Sequence, residues 1–334
     1  MASKNLADMV VVITGASSGI GAATAVEVAR RGGAVVLAAR GERALEAVAE
    51  RCREAGGRAS AVPTDVTDAA AVERLASRAA AEFGRIDAWV NNAAVSAVGL
   101  FEEIPLDELR RVIEVNLLGV AYGMRAALPH LRAAGGGVLV NNASVLAEVA
   151  VPYQSAYNAA KHGVRGLADT VRQELRITGE RDIRICTVLP SGIDTPFFRH
   201  AANHTGRALT PPPPVYPPEA VARVIVRLLR RPRREVYAGG AARLLGLQWR
   251  LVPGLTERML GRYGDGAQFR AAPARPTAGN VFDGGTARAT ADGGFHGRRR
   301  RAVRASAVFG IAAAGTAAGT IAVVGRRFGR QRRW

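Results

Sequence analysis

Lysine is almost absent from this sequence: of 46 basic side chains only Lys4 and Lys161 are not arginine. Cysteine is equally scarce. Cys52 and Cys186 cannot build a disulfide framework, which excludes a small bridge-stapled secreted scaffold and fits a reducing setting. Aromatic residues are 5% of the chain, none interleaved with basic residues as in RNA-binding segments, and no zinc-finger spacing occurs. The net charge of +18 is therefore read as compositional bias in an arginine-, alanine- and glycine-rich chain, and nucleic acid is not an expected partner. The opening MASKNLADMVVVITG has no apolar run long enough for a signal peptide before a first strand begins. The expected location is cytoplasmic.

A chain of 334 residues can bury a full core and still carry an appendage. Composition divides it. Residues 1–240 alternate apolar runs with helical patterns, 241–263 mix leucines with arginines as an amphipathic helical extension, 264–297 are Gly, Ala, Thr and Arg and read as a flexible linker, and 298–334 form a basic-flanked apolar tail.

Within the first part, short β-branched or apolar runs fall at 9–14, 35–39, 59–63, 86–92, 137–143 and 183–189, separated by helical patterns at 19–31, 42–55, 68–83, 106–134 and 155–177, with a further helix at 219–230. Continuous apolar strands alternating with helices require a parallel sheet covered on both faces. The predicted class is α/β, a doubly wound Rossmann-like sheet.

Between the first strand and first helix stands TGASSGIG, Thr14 to Gly21. Glycines there permit a tight turn, and the helix N-terminus offers free N–H groups to a pyrophosphate. The second strand ends Ala38, Ala39, Arg40. No carboxylate is placed there to accept from a ribose 2′-hydroxyl, whereas a guanidinium can pair with a 2′-phosphate. NADP(H) is thus the expected cofactor, with NAD(H) the alternative. Tyr157 and Lys161 stand four apart in a predicted helix and share a face. An ammonium beside a phenol favours the phenolate and lowers its pKa, and a lone internal lysine among arginines suggests a task for a compact point charge. Ser144 follows the strand 137–143, at the carboxyl edge where ligands of such sheets bind.

TGASSGIG, NNAA at 91–94, Asn116 in VNLLG, Ser144, YNAAK at 157–161 and PSGIDTPF at 190–197, taken together and in this order, resemble the short-chain dehydrogenase/reductase family from about residue 8 to about 235. The resemblance implies an enzyme interconverting a secondary alcohol and a carbonyl with a nicotinamide cofactor. It casts Tyr157 as general acid/base, Lys161 as the group that lowers its pKa and holds the nicotinamide ribose, Ser144 as the group orienting the substrate oxygen, and Asn116 as holder of a relay water. Gly15, Ser17, Ser18, Gly19, Ile20, Gly21, Arg40, Asn92, Ala93, Pro190, Ser191, Gly192, Ile193 and Thr195 would line the dinucleotide. Asp65 and Val66 match the pair facing the adenine, and Asn91 and Asn92 open the motif that stabilises the central sheet. A homo-oligomer is implied. Ala94 departs from the family's closing glycine, and Ser191 takes the place of a glycine that comes one step later, at Gly192. A non-catalytic NADP-binding sensor, or a membrane-associated scaffold, is the alternative reading.

His200 and His204 have i, i+4 spacing, but no carboxylate or cysteine lies nearby in sequence, so no metal site is expected. The substrate is expected to be hydrophobic. Residues 305–325 carry no charge for 21 positions, enough to span a bilayer as helix, with Gly315 and Gly319 at GxxxG spacing. A membrane tail and a flexible Ala/Gly tail both stand as readings.

Overall fold

A computed structural model of the chain describes residues 5–284 and 289–295. Seven strands form one parallel sheet: β1 Val10–Thr14, β2 Ala34–Ala39, β3 Arg58–Pro63, β4 Ala88–Asn91, β5 Gly137–Asn142, β6 Ile183–Pro190 and β7 Glu235–Ala238. Their spatial order is β7-β6-β5-β4-β1-β2-β3, so the order reverses between β1 and β4. That reversal opens a crevice at the carboxyl ends of the strands, where loops from both halves diverge.

The strand sequences explain the sheet. β1 is VVVIT with every residue buried, and its side chains alternate between two cores. Val10 and Val12 pack with Trp89 and Leu139 on one face, while Val11 and Ile13 pack with Val35 and Leu37 on the other. The first face is covered by helices α3 Ala69–Phe83, α5 Gly119–Ala133 and α6 Ser155–Ile177, the second by α1 Gly19–Ala29, α2 Glu42–Glu54 and α7 Pro218–Arg230. β-Branched residues suit strands buried on both sides, and amphipathic helices supply the cover. Helix ends follow local chemistry. Gly84 takes a left-handed φ of 79° to stop α3, and Pro218 with Glu219 starts α7.

Two features exceed the sequence reading. The seventh strand was not anticipated; Val236 and Tyr237 are only half-buried at the sheet's edge, so its apolar signal is weak. The helical stretch predicted over 106–134 is α4 Leu106–Ile113 and α5 joined by a π-helical turn, Glu114–Leu118, with Asn116 inside it. Such turns widen a helix and re-aim one side chain.

The C-terminal extension is a helical hairpin, α8 Gly240–Leu251 and α9 Pro253–Gln268, followed by β8 Phe269–Pro273, which pairs antiparallel with the short strand Arg207–Leu209. The flexible linker expected over 264–297 is corrected accordingly: residues 264–284 and 289–295 are ordered against the sheet domain, with Val281 and Phe295 buried. Small side chains misled the compositional reading because close backbone packing can replace a large apolar surface. Among the described residues no helix is long and apolar enough to cross a membrane. The candidate tail, 305–325, lies outside the described residues.

Candidate active site

One cleft of about 1120 Å³ opens at the carboxyl edge of the sheet, more than the roughly 300–1,000 Å³ that one drug-sized ligand fills. Along its floor lie Gly15, Ser17, Ser18, Gly19, Ile20, Arg40, Asp65, Val66, Asn92, Ala93, Pro190, Ser191, Gly192, Ile193 and Thr195. Ser144, Tyr157 and Lys161 line it as well. Gly21 and Asn116 do not reach it.

The glycine-rich turn is a cradle that side chains would fill. A Cβ on Gly15 would meet the Ala93 Cα at 2.6 Å, and one on Gly21 the Gly15 carbonyl oxygen at 2.3 Å. Asparagines hold the turn. Asn92 donates through Nδ2 to the carbonyls of Thr14 (3.0 Å) and Gly15 (3.1 Å), and its Oδ1 accepts from Asn142 Nδ2 at 2.8 Å. Behind it, Asn91 accepts from Trp89 Nε1 and donates to Asn141 Oδ1 at 2.9 Å, crosslinking β4 to β5. Ala94 lines the cleft with its small side chain, and Gly192 is obligatory where it stands, since a Cβ would lie 2.1 Å from the Pro212 carbonyl oxygen.

Just beyond β3, Asp65 accepts from Thr67 and from Arg111 Nη2 at 2.6 Å. Burial pushes its carboxyl pKa up, but the Thr67 and Arg111 bonds outweigh burial and hold it below the usual range. Arg40 lines the cleft, yet both of its terminal nitrogens donate to backbone carbonyls of residues 280–283.

The candidate reacting groups, Ser144, Tyr157 and Lys161, sit on the short 3₁₀ turn after β5 and on α6. Ser144 caps that turn, accepting from Leu146 N at 3.1 Å, and is hydrogen-bonded to Tyr157. Lys161, one helical turn from Tyr157, is 1% exposed and donates through Nζ to the Asn142 carbonyl at 3.1 Å. Its Nζ stands 5.4 Å from the Tyr157 ring centroid. The sequence reading had the ammonium lowering the phenol's pKa. In the structure burial dominates both groups: it pushes Tyr157 up to about 12, only partly opposed by Ser144, and Lys161 down to about 8. Asn116 is fully buried, and its side chain is committed to Val95, accepting from the backbone N at 2.9 Å and donating to the carbonyl at 2.8 Å. It clamps the loop after β4 and is not among the residues that line the cleft.

The residues fit a dinucleotide on evidence beyond the turn. Asn142 Oδ1 and Ser191 Oγ are buried in the cleft wall with no hydrogen-bond partner among the described residues, and buried polar atoms of this kind call for a ligand or water.

Beyond Tyr157 the cleft continues as an apolar chamber walled by Phe197, Phe198, Leu245, Met259 and Leu260. Gln154 and Gln268 bridge there, Nε2 to Oε1 at 2.7 Å. None of these was given a site role from sequence, although Gln154, one turn before Tyr157, could have been. His204 lies apart from this chamber, bonded through Nε2 to Glu108 at 2.8 Å.

Comparison with known proteins agrees with this geometry. The family model described as short chain dehydrogenase matches residues 9–205. The chain is 36% identical over 280 residues to the uncharacterized oxidoreductase YxnA of Bacillus subtilis, covering 82% of this chain and 77% of that protein. It is 45% identical over 196 residues to cis-4-hydroxycyclohexanecarboxylate dehydrogenase of Sinomonas cyclohexanicum, 57% of this chain and 76% of that one. Among solved structures, an alcohol dehydrogenase from the archaeon Thermococcus sibiricus complexed with 5-hydroxy-NADP superimposes with a TM-score of 0.60 at 31% identity, covering 69% of this chain and 94% of that chain.

Proposed function

This chain belongs to the short chain dehydrogenase family, and on that premise we propose that it interconverts a bulky, mainly apolar secondary alcohol and its ketone with NADP(H), Tyr157 moving the proton. One observation carries the reading: Ser144, Tyr157 and Lys161 converge on the same cleft as the glycine-rich turn. A hydride donor and a proton donor can therefore address one carbonyl from two sides.

When bound, the nicotinamide would supply or take the hydride. Everything else falls to side chains. The Ser144 hydroxyl would orient the substrate oxygen toward Tyr157. In reduction the Tyr157 phenol, kept protonated by burial, gives its proton to the nascent alkoxide. In oxidation the phenolate takes it back. Lys161, whose pKa burial brings down to about 8, exchanges protons near neutral pH and can restore the phenol's protonation state.

The preference for NADP(H) is supported by Arg40 at the adenosine end, by the lack of a carboxylate at the end of β2, and by the phosphorylated dinucleotide in the similar archaeal enzyme. The substrate class is supported by the apolar chamber and by the cyclic hydroxy acid named for the Sinomonas relative. In this reading residues up to about 240 form the catalytic unit, and α8 and α9 close its substrate side.

Turnover of NADPH and NADH with a panel of cyclic and long-chain ketones tests the proposal. Tyr157→Phe should lower kcat by about 10²–10⁴ while NADPH still binds. Retention of full activity by that variant would discard the assigned chemistry.

A further inference from the structure

Residues 274–284 and 289–295 have the composition of a tether, yet their backbone is fastened at several points to the cleft that the proposed function assigns to the dinucleotide. Thr277 and Asn203 exchange backbone bonds at 3.1 and 2.8 Å, and Asn280 N donates to the His200 carbonyl at 2.8 Å. Val281 is then buried in the main core. Arg40 grips the next carbonyls: Nη2 to Asn280 at 2.7 Å and Asp283 at 3.1 Å, Nη1 to Phe282 at 2.6 Å.

The stretch 289–295 is fastened at the other side of the glycine-rich turn. Gly19, first residue of α1, donates its backbone N–H to the Thr290 carbonyl at 3.1 Å. Fully buried Asp194, between Ile193 and Thr195, accepts through Oδ1 from the backbone N–H of Gly293 at 3.0 Å and of Phe295 at 3.1 Å. Phe295 is buried against Phe198 and flanked by Arg199 and Arg270. Glycine is required at two points: a Cβ on Gly279, whose φ is +55°, would lie 2.2 Å from the His200 carbonyl oxygen, and one on Gly293 would lie 2.3 Å from that of Thr195.

We propose that residues 280–284 and 289–295 are a strap belonging to the cofactor site, clasped by Arg40 beside the adenosine end and by Asp194 beside the nicotinamide end, and that NADP(H) enters and leaves only when the strap lifts. The strap leaves room for the dinucleotide, since the cleft beside it has a volume of about 1120 Å³ with Asn280 and Gly284 among its lining residues, while it takes up the Gly19 N–H and the Arg40 terminal nitrogens. Arg40 is thereby a positioning residue as much as a charge for a 2′-phosphate. Asp194 holds the strap to the loop that carries Thr195, so strap and nicotinamide loop move together.

The inference rests on the proposed cofactor reading, and the test separates the two. Dissociation of NADPH is followed by stopped-flow fluorescence in the full chain and in two variants at opposite ends, Gly279→Val and Gly293→Val, which act from the strap's side and leave the sheet core intact. Each should speed NADPH release at least tenfold and raise its Kd. In the wild-type chain the amides of Gly293 and Phe295 should exchange hydrogen more slowly with NADPH than without it. Release and Kd within twofold of wild type in both variants, or tighter binding in either, would overturn the strap while leaving the cofactor reading in place. Failure of the wild-type chain to bind NADPH would overturn both.

Discussion

Replacing Lys161 with methionine should stabilise the protein while removing its activity. The ammonium is fully buried, its hydrogen-bond partner among the described residues is the neutral Asn142 carbonyl, and burial lowers its pKa from 10.5 to about 8. At about 1.36 kcal/mol per pKa unit, holding the charged form in the fold costs on the order of 3 kcal/mol. Methionine has similar length and no charge. It forfeits the bond to the Asn142 carbonyl, about 1 kcal/mol, so a net gain of roughly 2 kcal/mol is expected below pH 8. For a sheet domain of this size that is a rise in Tm of roughly 4–8 °C. The direction with pH follows from proton counts. Between pH 8 and 10.5 the unfolded lysine keeps a proton that the folded one has lost, so wild-type stability from this group rises with pH. The advantage of Lys161→Met is therefore complete below pH 8 and fades toward pH 10.5. Thermal unfolding of both proteins without cofactor, from pH 6.5 to 10.5, measures it. A variant less stable than wild type at pH 7, or an advantage unchanged across that range, would refute the desolvation argument.

Two further outcomes are expected. Gly21→Ala places a methyl 2.3 Å from the Gly15 carbonyl oxygen and 2.6 Å from Asn92 Nδ2; overpacking of this kind costs about 1–3 kcal/mol, and titration should show NADPH affinity falling with it. Glu148, buried four residues after Ser144, accepts from Tyr237 Oη at 2.5 Å and from Arg250 Nε, tying α8 to the catalytic turn. Glu148→Ala should raise KM for bulky ketones several-fold with the NADPH Kd unchanged, read from steady-state kinetics beside direct cofactor titration; an unaltered KM would mean that α8 does not depend on this tie.

Six of the seven strands and the order of the helices were legible because each is a local pattern: β-branched residues between helical periods. The pairing of Tyr157 with Lys161 was legible for the same reason, since one helical turn brings i and i+4 together wherever the helix lies. Two electrostatic consequences were not. The lowering of the tyrosine's pKa by the lysine counts only the charge between them, whereas burial penalises the charged form of each and reverses the balance. Asn116 was expected to hold a relay water, and nothing in the sequence showed that, from inside the π-turn, its amide would bond to Val95, a loop residue 21 positions earlier.

The far C-terminal region shows the same division most clearly. Sequence suffices for elements whose identity is written in neighbouring side chains, and it sufficed for the doubly wound class, the glycine-rich turn and the family's motif set. It could not foresee that Arg40 would close on carbonyls some 240 positions away, or that Asp194 would hold amides 99 and 101 positions away. Every residue bears a carbonyl and nearly every one an N–H, so these backbone partners leave no mark in composition, and the need for glycine at 293 exists only once Thr195 lies against it.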